Sequence, residues 1–248
     1  MISLALFAIS IHQDTATFQF HPKVGESYRY EMSMEDASGA PLLSKEGKFY
    51  SIFKVAELKE GKYKVIQTTE ALFPGQKADS RLQGTYRIDS SMNTEVIPND
   101  GEKKTLAGVE VFATTVNGCF GLLFPPDSMK VGQKWKAPLD IVPVAKDNMK
   151  GLVPNGTYDG TCNRSFTLDA LDAKKGIIKS QIDCAVDISG TENGVKRQAR
   201  IEQIFAQTTQ IDLATGMPIK LDRKFSLTLT SGTQRKEMNM IIHLNRVP

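Results

Sequence analysis

Few side chains in this sequence have the types and spacing that catalysis or metal binding requires. The three histidines are His12, His21 and His243. A catalytic site would need one of them beside a nucleophile, and a metal site would need one of them beside further metal ligands. His21 and His243 become neighbours if the terminal strands pair; the alternative is a surface or strand-packing role for each. The Gly-x-Ser-x-Gly elbow, the His-Glu-x-x-His motif, the P-loop and the dinucleotide fingerprint are absent. The sequence therefore predicts a non-catalytic protein with no metal or cofactor.

The three cysteines favour a disulfide over a zinc or redox motif, because none lies in a Cys-x-x-Cys pair. Cys162 and Cys184 flank the turn at 171–176 almost symmetrically, so a hairpin would place the two thiols opposite each other. Opposed Cβ atoms lie about 4.5–5.5 Å apart and a disulfide needs about 3.5–4.5 Å, so a bridge is feasible in an oxidising compartment. The alternative is a pair of buried free thiols, which is also the prediction for Cys119.

Alternation of apolar and polar residues predicts a mainly β protein. Period-two runs occur at 28–34, 63–65, 225–229 and 238–244, with turn residues between them. Such a period turns one face of a strand to a core and the other to water. We predict a curved antiparallel sheet, open like a half-barrel, with a sandwich or a closed barrel as alternatives.

One segment has the period of a helix. Between Lys104 and Leu123 apolar residues recur at spacings of three and four, which predicts an amphipathic helix over 105–117. Glycines weaken this pattern, and the Pro125-Pro126 pair ends it. The helix would join two halves of the chain and pack on the concave face of the sheet.

Three pairs of similar segments occur in the same order, which predicts an internal duplication. One pair, for example, matches residues 53–61 with residues 166–176. The alternative is that strand–turn units look alike in any β protein. The paired glycines permit a positive φ before a strand, and the paired aspartates can cap turns. The residues aligned in the other two segment pairs are Gly25 with Gly132, Tyr28 with Trp135, and Asp89 with Asp212.

The N-terminal residues 2–11 form an uncharged apolar run of the length of a signal-peptide core, too short to span a bilayer. No basic residue follows Met1, so a first β-strand is the alternative. We predict a signal remnant over 1–16, a first β repeat with the helix over 17–125, and a second β repeat over 126–248, unless both repeats form one continuous domain. No cysteine follows the run, so a lipid anchor is not predicted.

Net charge and composition exclude some partners. The chain carries 31 basic and 28 acidic residues, and its basic residues occur as pairs rather than as a stripe. A nucleic-acid partner is therefore not predicted. A membrane-spanning segment is not predicted either, because no stretch of the sequence approaches transmembrane length.

Four methionines alternate on two predicted strands: Met32, Met34, Met238 and Met240. Methionine adapts its shape and suits pockets for varied apolar ligands. The functional interpretation is the lining of a lipophilic site, and the alternative is ordinary core packing.

The segment from Phe124 to Trp135, with its proline step and Val-Gly-x-x-Trp, resembles uncharacterised bacterial secreted or envelope proteins. The turn from Asp212 to Pro218 extends the resemblance over most of residues 20–245. The family implies an extracytoplasmic β fold like the half-barrels of lipoprotein carriers, and no established activity.

Two functions follow as hypotheses for a secreted or periplasmic protein. The first is a non-catalytic module that binds an apolar or lipid-like ligand. The second is a structural or protein-interaction scaffold of the cell envelope. An apolar cavity would favour the first and a packed core the second.

Overall fold

The computed structural model describes residues 15–97, 120–149, 153, 155–192 and 194–248. The predicted helix over 105–117, Cys119, His12 and the apolar run at 2–11 lie outside the described residues. Within the described chain, the prediction of a mainly β fold built on a large curved antiparallel sheet is confirmed.

The first half of the chain supplies a five-stranded meander. Buried and less buried residues alternate over 28–31 and 51–56, as a period-two pattern requires, whereas the other strands are mostly half-buried or exposed. They are preceded by a short strand, β1, which pairs with β7 outside the large sheet. The bounds are β1 Thr15–Ala16, β2 Ser27–Asp36, β3 Lys48–Lys59, β4 Lys62–Leu72, β5 Asp79–Ile88 and β6 Thr94–Ile97.

The second half supplies six strands of the large sheet and a helix. Its three longest strands are joined by tight turns, so their registers follow directly from the turns. The bounds are β7 Met129–Lys130, β8 Lys134–Lys136, α1 Ile141–Asn148, β9 Thr157–Leu171, β10 Lys175–Glu192, β11 Val195–Asp212, β12 Pro218–Ser231 and β13 Gln234–Val247.

The large sheet has eleven strands in the order β6-β5-β4-β3-β2-β13-β12-β11-β10-β9-β8. All neighbours in it are antiparallel. Strand β13, the last in the chain, pairs with β2, from Met240 opposite Asp36 to Val247 opposite Arg29. The two meanders therefore meet at a seam in the centre of one continuous sheet, and its edges β6 and β8 do not close into a barrel.

Two buried clusters lie on one face of the sheet, which we call the inner face. The first cluster joins strands β2 to β5 and the extended residues 16–20 and 120–124 with residues of β9 to β11, so it spans both meanders; its members on β9 to β11 are Phe166, Leu168, Ile178 and Ile211. Phe120 packs between Phe53 and Tyr30, with ring centroids 4.6 Å and 6.4 Å away. Ala16 is buried here, so the described fold includes the last two residues of the range predicted as a signal remnant.

The second cluster places α1 over strands β9 to β11. The periodicity did not predict this helix, because Pro143 and the β-branched residues at 141, 142 and 144 are poor helix formers. Its signals were the cap Asp140, whose Oδ1 accepts the Val142 N–H at 3.2 Å, and a proline confined to the first turn. Ile141 and Ala145 are buried against the sheet.

Candidate functional site

The four predicted methionines converge at the seam. Cross-strand partners share a face, and Met32 stands opposite Leu244 while Met34 stands opposite Ile242. These positions continue the inner-face series of Tyr28 and Tyr30, which are buried. We define the methionine surface as the inner-face side chains of Met32, Met34, Phe225, Leu227, Met238, Met240 and Ile242.

The methionine surface is covered less completely than the two buried clusters of the inner face. Its residues are absent from the fully buried set of the described chain, and Met238 is 44% exposed. Phe225 and Leu227 reach the second cluster at one border, whereas the four methionines belong to neither cluster. Strands β12, β13 and β2 thus present a partly exposed apolar surface in the middle of the sheet.

A polar network borders this surface. Gln207 is buried and donates from Nε2 to the Phe120 carbonyl at 2.9 Å and to the Thr209 hydroxyl. Arg223 donates from Nε to Gln207 Oε1 at 2.9 Å, and its guanidinium lies 4.7 Å from the centre of the Phe205 ring. Gln207 therefore links the backbone at Phe120 to Arg223, which stands at the edge of the methionine surface.

Sequence reasoning missed Arg223. The available signal was its odd number in β12. Leu221, Phe225 and Leu227 have the same parity, so Arg223 turns to the inner face with them. A cation at an apolar position of a period-two strand indicates either a buried polar network or a charged edge to a site.

Two open depressions lie on the second meander. The face of the sheet opposite the inner face is called the outer face. The larger, of about 550 Å³, has a lining of mixed polarity that includes Asp159, Asp187 and Arg200. The smaller, of about 390 Å³, is mainly apolar, and most of its lining residues belong to outer-face rows of β11 to β13. It is lined by Ala37, Ile204, Ala206, Lys224, Phe225, Ser226, Asn239, Met240 and Ile241.

Cys162 and Cys184 are register partners on β9 and β10 and form a disulfide. Both residues are buried in the second cluster, beneath α1. The predicted pairing of these two cysteines is confirmed by this bond.

The glycines and aromatic residues of the predicted repeat occupy similar places. Gly25 and Gly132 both have positive φ, 91° and 82°. The N–H of Gly25 donates to the Val55 carbonyl at 2.8 Å, and that of Gly132 to the Leu168 carbonyl at 2.7 Å. Tyr28 stands opposite Phe53 and Trp135 opposite Phe166.

The paired aspartates both cap turns. Asp89 Oδ1 accepts the N–H groups of Ser91 and Asn93, each at 2.9 Å. Asp212 Oδ1 accepts the Ala214 N–H at 3.0 Å, and its Oδ2 lies 3.3 Å from Arg246. These contacts are structural and leave the duplication itself a prediction.

The histidines are held in separate local contacts. His243 Nδ1 bonds Asp222 Oδ1 at 2.7 Å on the outer face, whereas the His21 ring bonds the Gln19 carbonyl at 3.0 Å. Burial raises the pKa of Asp222, but hydrogen bonds from His243 and Lys220 outweigh it and hold that pKa below the ordinary value. Within the described ranges no group of three or more His, Cys, Asp or Glu side chains could hold a metal ion.

The comparisons with known proteins identify no family. No protein-family model and no curated protein matches the chain. A crystal structure of a protein inferred to be exported, with a YmcC-like fold, from Bacteroides fragilis is 10% identical, with a TM-score of 0.28 over 94% of this chain and all of that one. An N-terminal dehydratase from the difficidin assembly line is 12% identical, with a TM-score of 0.17 over 90% of this chain and 79% of that one. TM-scores this low do not establish a shared fold. None of the helices in the described chain has the length and apolar character needed to cross a membrane.

Proposed function

We propose that this protein is an extracytoplasmic, non-catalytic binding protein that holds an apolar or lipid-like ligand on the methionine surface. The observation that carries the proposal is the partly exposed apolar surface of β12, β13 and β2, which adjoins both buried clusters. Removing such a surface from water stabilises a complex by about 25 cal/mol per Å² of apolar area. Flexible methionine side chains can adapt to the shape of an alkyl chain.

The disulfide supports an oxidising location. Cys162 and Cys184 are joined in the second cluster, and structural disulfides persist in secreted and periplasmic proteins. A secreted or periplasmic site of action belongs to this proposal.

Binding of Nile red, an uncharged apolar dye, tests the proposal. We expect saturable fluorescence enhancement with the native protein, and at least about tenfold weaker binding by a Met34→Gln/Met240→Gln double variant, because glutamine keeps the side-chain length but not the apolar surface. Leu58→Gln is the matched control, since Leu58 is 50% exposed on β3, away from both the methionine surface and the apolar depression. Equal binding by the native protein and the double variant would contradict the proposal.

A scaffold of the cell envelope is the second candidate. The apolar depression at Ile204 and Ile241 favours it, because an exposed apolar patch can serve protein contacts. Sedimentation of the native protein and of Ile204→Lys distinguishes the two. Self-association that the substitution abolishes would support the scaffold, and a monomer in both cases would not.

A further inference from the structure

We propose that the methionine surface is a site of reversible oxidation, at which a peroxide converts the exposed thioethers to sulfoxides and so weakens binding of the apolar ligand. This inference rests on the proposed function and adds a way in which binding is regulated. Methionine sulfoxide reductases return the sulfoxide to the thioether, so the change can be reversed.

The methionines of the described chain fall into two groups by their exposure. Those of the methionine surface are half-buried or exposed, and Met238 reaches 44% exposure. The other four of the described chain are buried in the two clusters, each at most 7% exposed: Met92, Met129, Met149 and Met217. An oxidant dissolved in water has to reach the sulfur atom, so a peroxide would oxidise the methionine surface first.

The reaction is a transfer of one oxygen atom. A sulfur lone pair attacks one oxygen of a hydroperoxide, and the S–O bond forms as the O–O bond breaks. The leaving oxygen takes up the proton and departs as water or an alcohol. The sulfur is thereby oxidised by two electrons and the peroxide is reduced by two. Cys162 and Cys184 do not compete for the oxidant, because they are already joined in a buried disulfide.

A sulfoxide on the methionine surface gains no hydrogen-bond donor from the side chains of its register partners. Met240 stands between Phe225 and Asp36, and an ionised carboxylate only accepts hydrogen bonds. Met34 stands opposite Ile242 in the next row. The new oxygen would therefore bond to water, and an apolar ligand would have to displace that water without replacing its hydrogen bonds. Oxidation thus lowers the affinity of the surface for an apolar ligand.

Timed oxidation of the full chain with hydrogen peroxide tests the inference. Peptide mass spectrometry locates each added oxygen, and a Nile red titration measures binding at each time point. We expect the surface methionines to be oxidised before the buried ones, and the dye affinity to fall at least about tenfold as they are oxidised. The affinity should reach its low value while Met129 and Met217 are still unmodified.

A leucine variant separates the thioether group from the apolar area that it contributes. Leucine keeps about the volume and the apolar character of methionine but has no sulfur to oxidise. The variant should bind Nile red as the native chain does, and peroxide should not change its affinity. Its four substitutions are Met32→Leu, Met34→Leu, Met238→Leu and Met240→Leu. The matched control, Met129→Leu/Met217→Leu, removes only buried sulfurs and should lose binding on oxidation like the native chain.

The outcomes separate this inference from the proposed function. Unchanged dye binding by a native chain whose surface methionines are oxidised would overturn the inference and leave apolar binding intact. An equal loss of binding by the leucine variant would also overturn it, because the loss would not arise at the thioethers. Nile red binding that is insensitive to Met34→Gln/Met240→Gln would overturn the proposed function itself.

The native chain alone decides the matter if the leucine variant does not fold. Loss of dye binding should then follow the oxidation of the surface methionines in time. A loss that follows the buried methionines instead, or oxidation of both groups at the same rate, would overturn the inference.

Discussion

The absence of a Cβ at Gly216 lets two distant parts of the chain pack in direct contact. Its φ is +71°, and a Cβ there would lie 2.8 Å from the Phe20 Cα and closer still to the Gln19 carbonyl. Residues 19–20 therefore run directly against the turn that connects β11 and β12. His21 continues this contact, because its N–H donates to the Thr215 carbonyl at 3.0 Å.

Substitution of Gly216 by alanine should destabilise the fold by about 3 kcal/mol or more, since a backbone collision adds to the positive-φ penalty of about 1 kcal/mol. Gly232→Ala is the matched control: its φ is +57° and no atom lies within 4 Å of the added Cβ. Urea unfolding of both variants measures the difference. Equal losses of unfolding free energy in the two variants would show that the contact with residues 19–20 does not contribute to stability.

Asp36 sets a pH dependence at the border of the methionine surface. Hydrogen bonds from the Ser38 hydroxyl and from the backbone N–H groups of Ala40 and Ser38 hold the pKa of Asp36 below its ordinary value of 3.8. A lowered folded-state pKa means that the turn gains stability above the unfolded pKa and loses it as the pH falls through the folded value. We expect the Ala40 amide to lose protection from hydrogen exchange only in that acidic range. Asp36→Asn should remove the pH dependence, and an unchanged profile would contradict the assignment.

At the scale of elements, the two meanders share a glycine turn and one register irregularity at the same place. Strand β3 has a register irregularity between Val55 and Glu57, and β9 has one just after Leu168, the residue that takes the place of Val55 beside the second glycine turn. Val65 stands opposite Tyr86, and Ile178 opposite Thr209. These parallels support the proposed duplication, with repeats over 17–125 and 126–248.

The β9–β10 hairpin should depend on its disulfide. Cys162 and Cys184 are separated by 22 residues, and closing a loop of this length in the unfolded chain stabilises a protein by about 3 kcal/mol. We expect a Cys162→Ser/Cys184→Ser variant to lose roughly that unfolding free energy relative to the native chain, measured in urea. Alkylation of the denatured, unreduced protein should label one cysteine by mass spectrometry, and labelling of all three would contradict the bond.

At the scale of the whole molecule, the seam makes the two meanders one structural unit. Eight residue pairs join β13 to β2, and Phe20 and His21 donate N–H groups to the Ser90 and Thr215 carbonyls, one in each meander. A continuous ladder of this kind is expected to unfold cooperatively.

A substitution in the first meander should therefore destabilise the second. Val65→Ala removes buried methyl groups from β4 and should cost roughly 2 kcal/mol. Trp135, the single tryptophan, lies on β8 in the other meander and reports unfolding there by fluorescence. We expect its transition to shift as far as that of circular dichroism, whereas a tryptophan transition unmoved by Val65→Ala would show independent domains.

The sequence by itself determined the features that depend on near neighbours. Alternation predicted the strands because each side chain of a strand turns to a face set by its parity. The symmetric spacing about one turn predicted the Cys162–Cys184 pairing, since a tight turn sets the register of its own hairpin. The sequence did not predict helix α1, because the helix is stabilised by the burial of Ile141 and Ala145 in the second cluster and not by local helix propensity.

Only the tertiary structure decided which strands meet at the seam. The pairing of β2 with β13 places Met34 beside Ile242, and the pairing of β12 with β11 places Arg223 beside Gln207 at the edge of the same surface. No turn connects β2 to β13, so their register follows from burial of the whole inner face and not from any local pattern. The methionines were visible in the sequence as an apolar alternation, but their union into one partly exposed surface with a cation at its border is a property of the folded sheet.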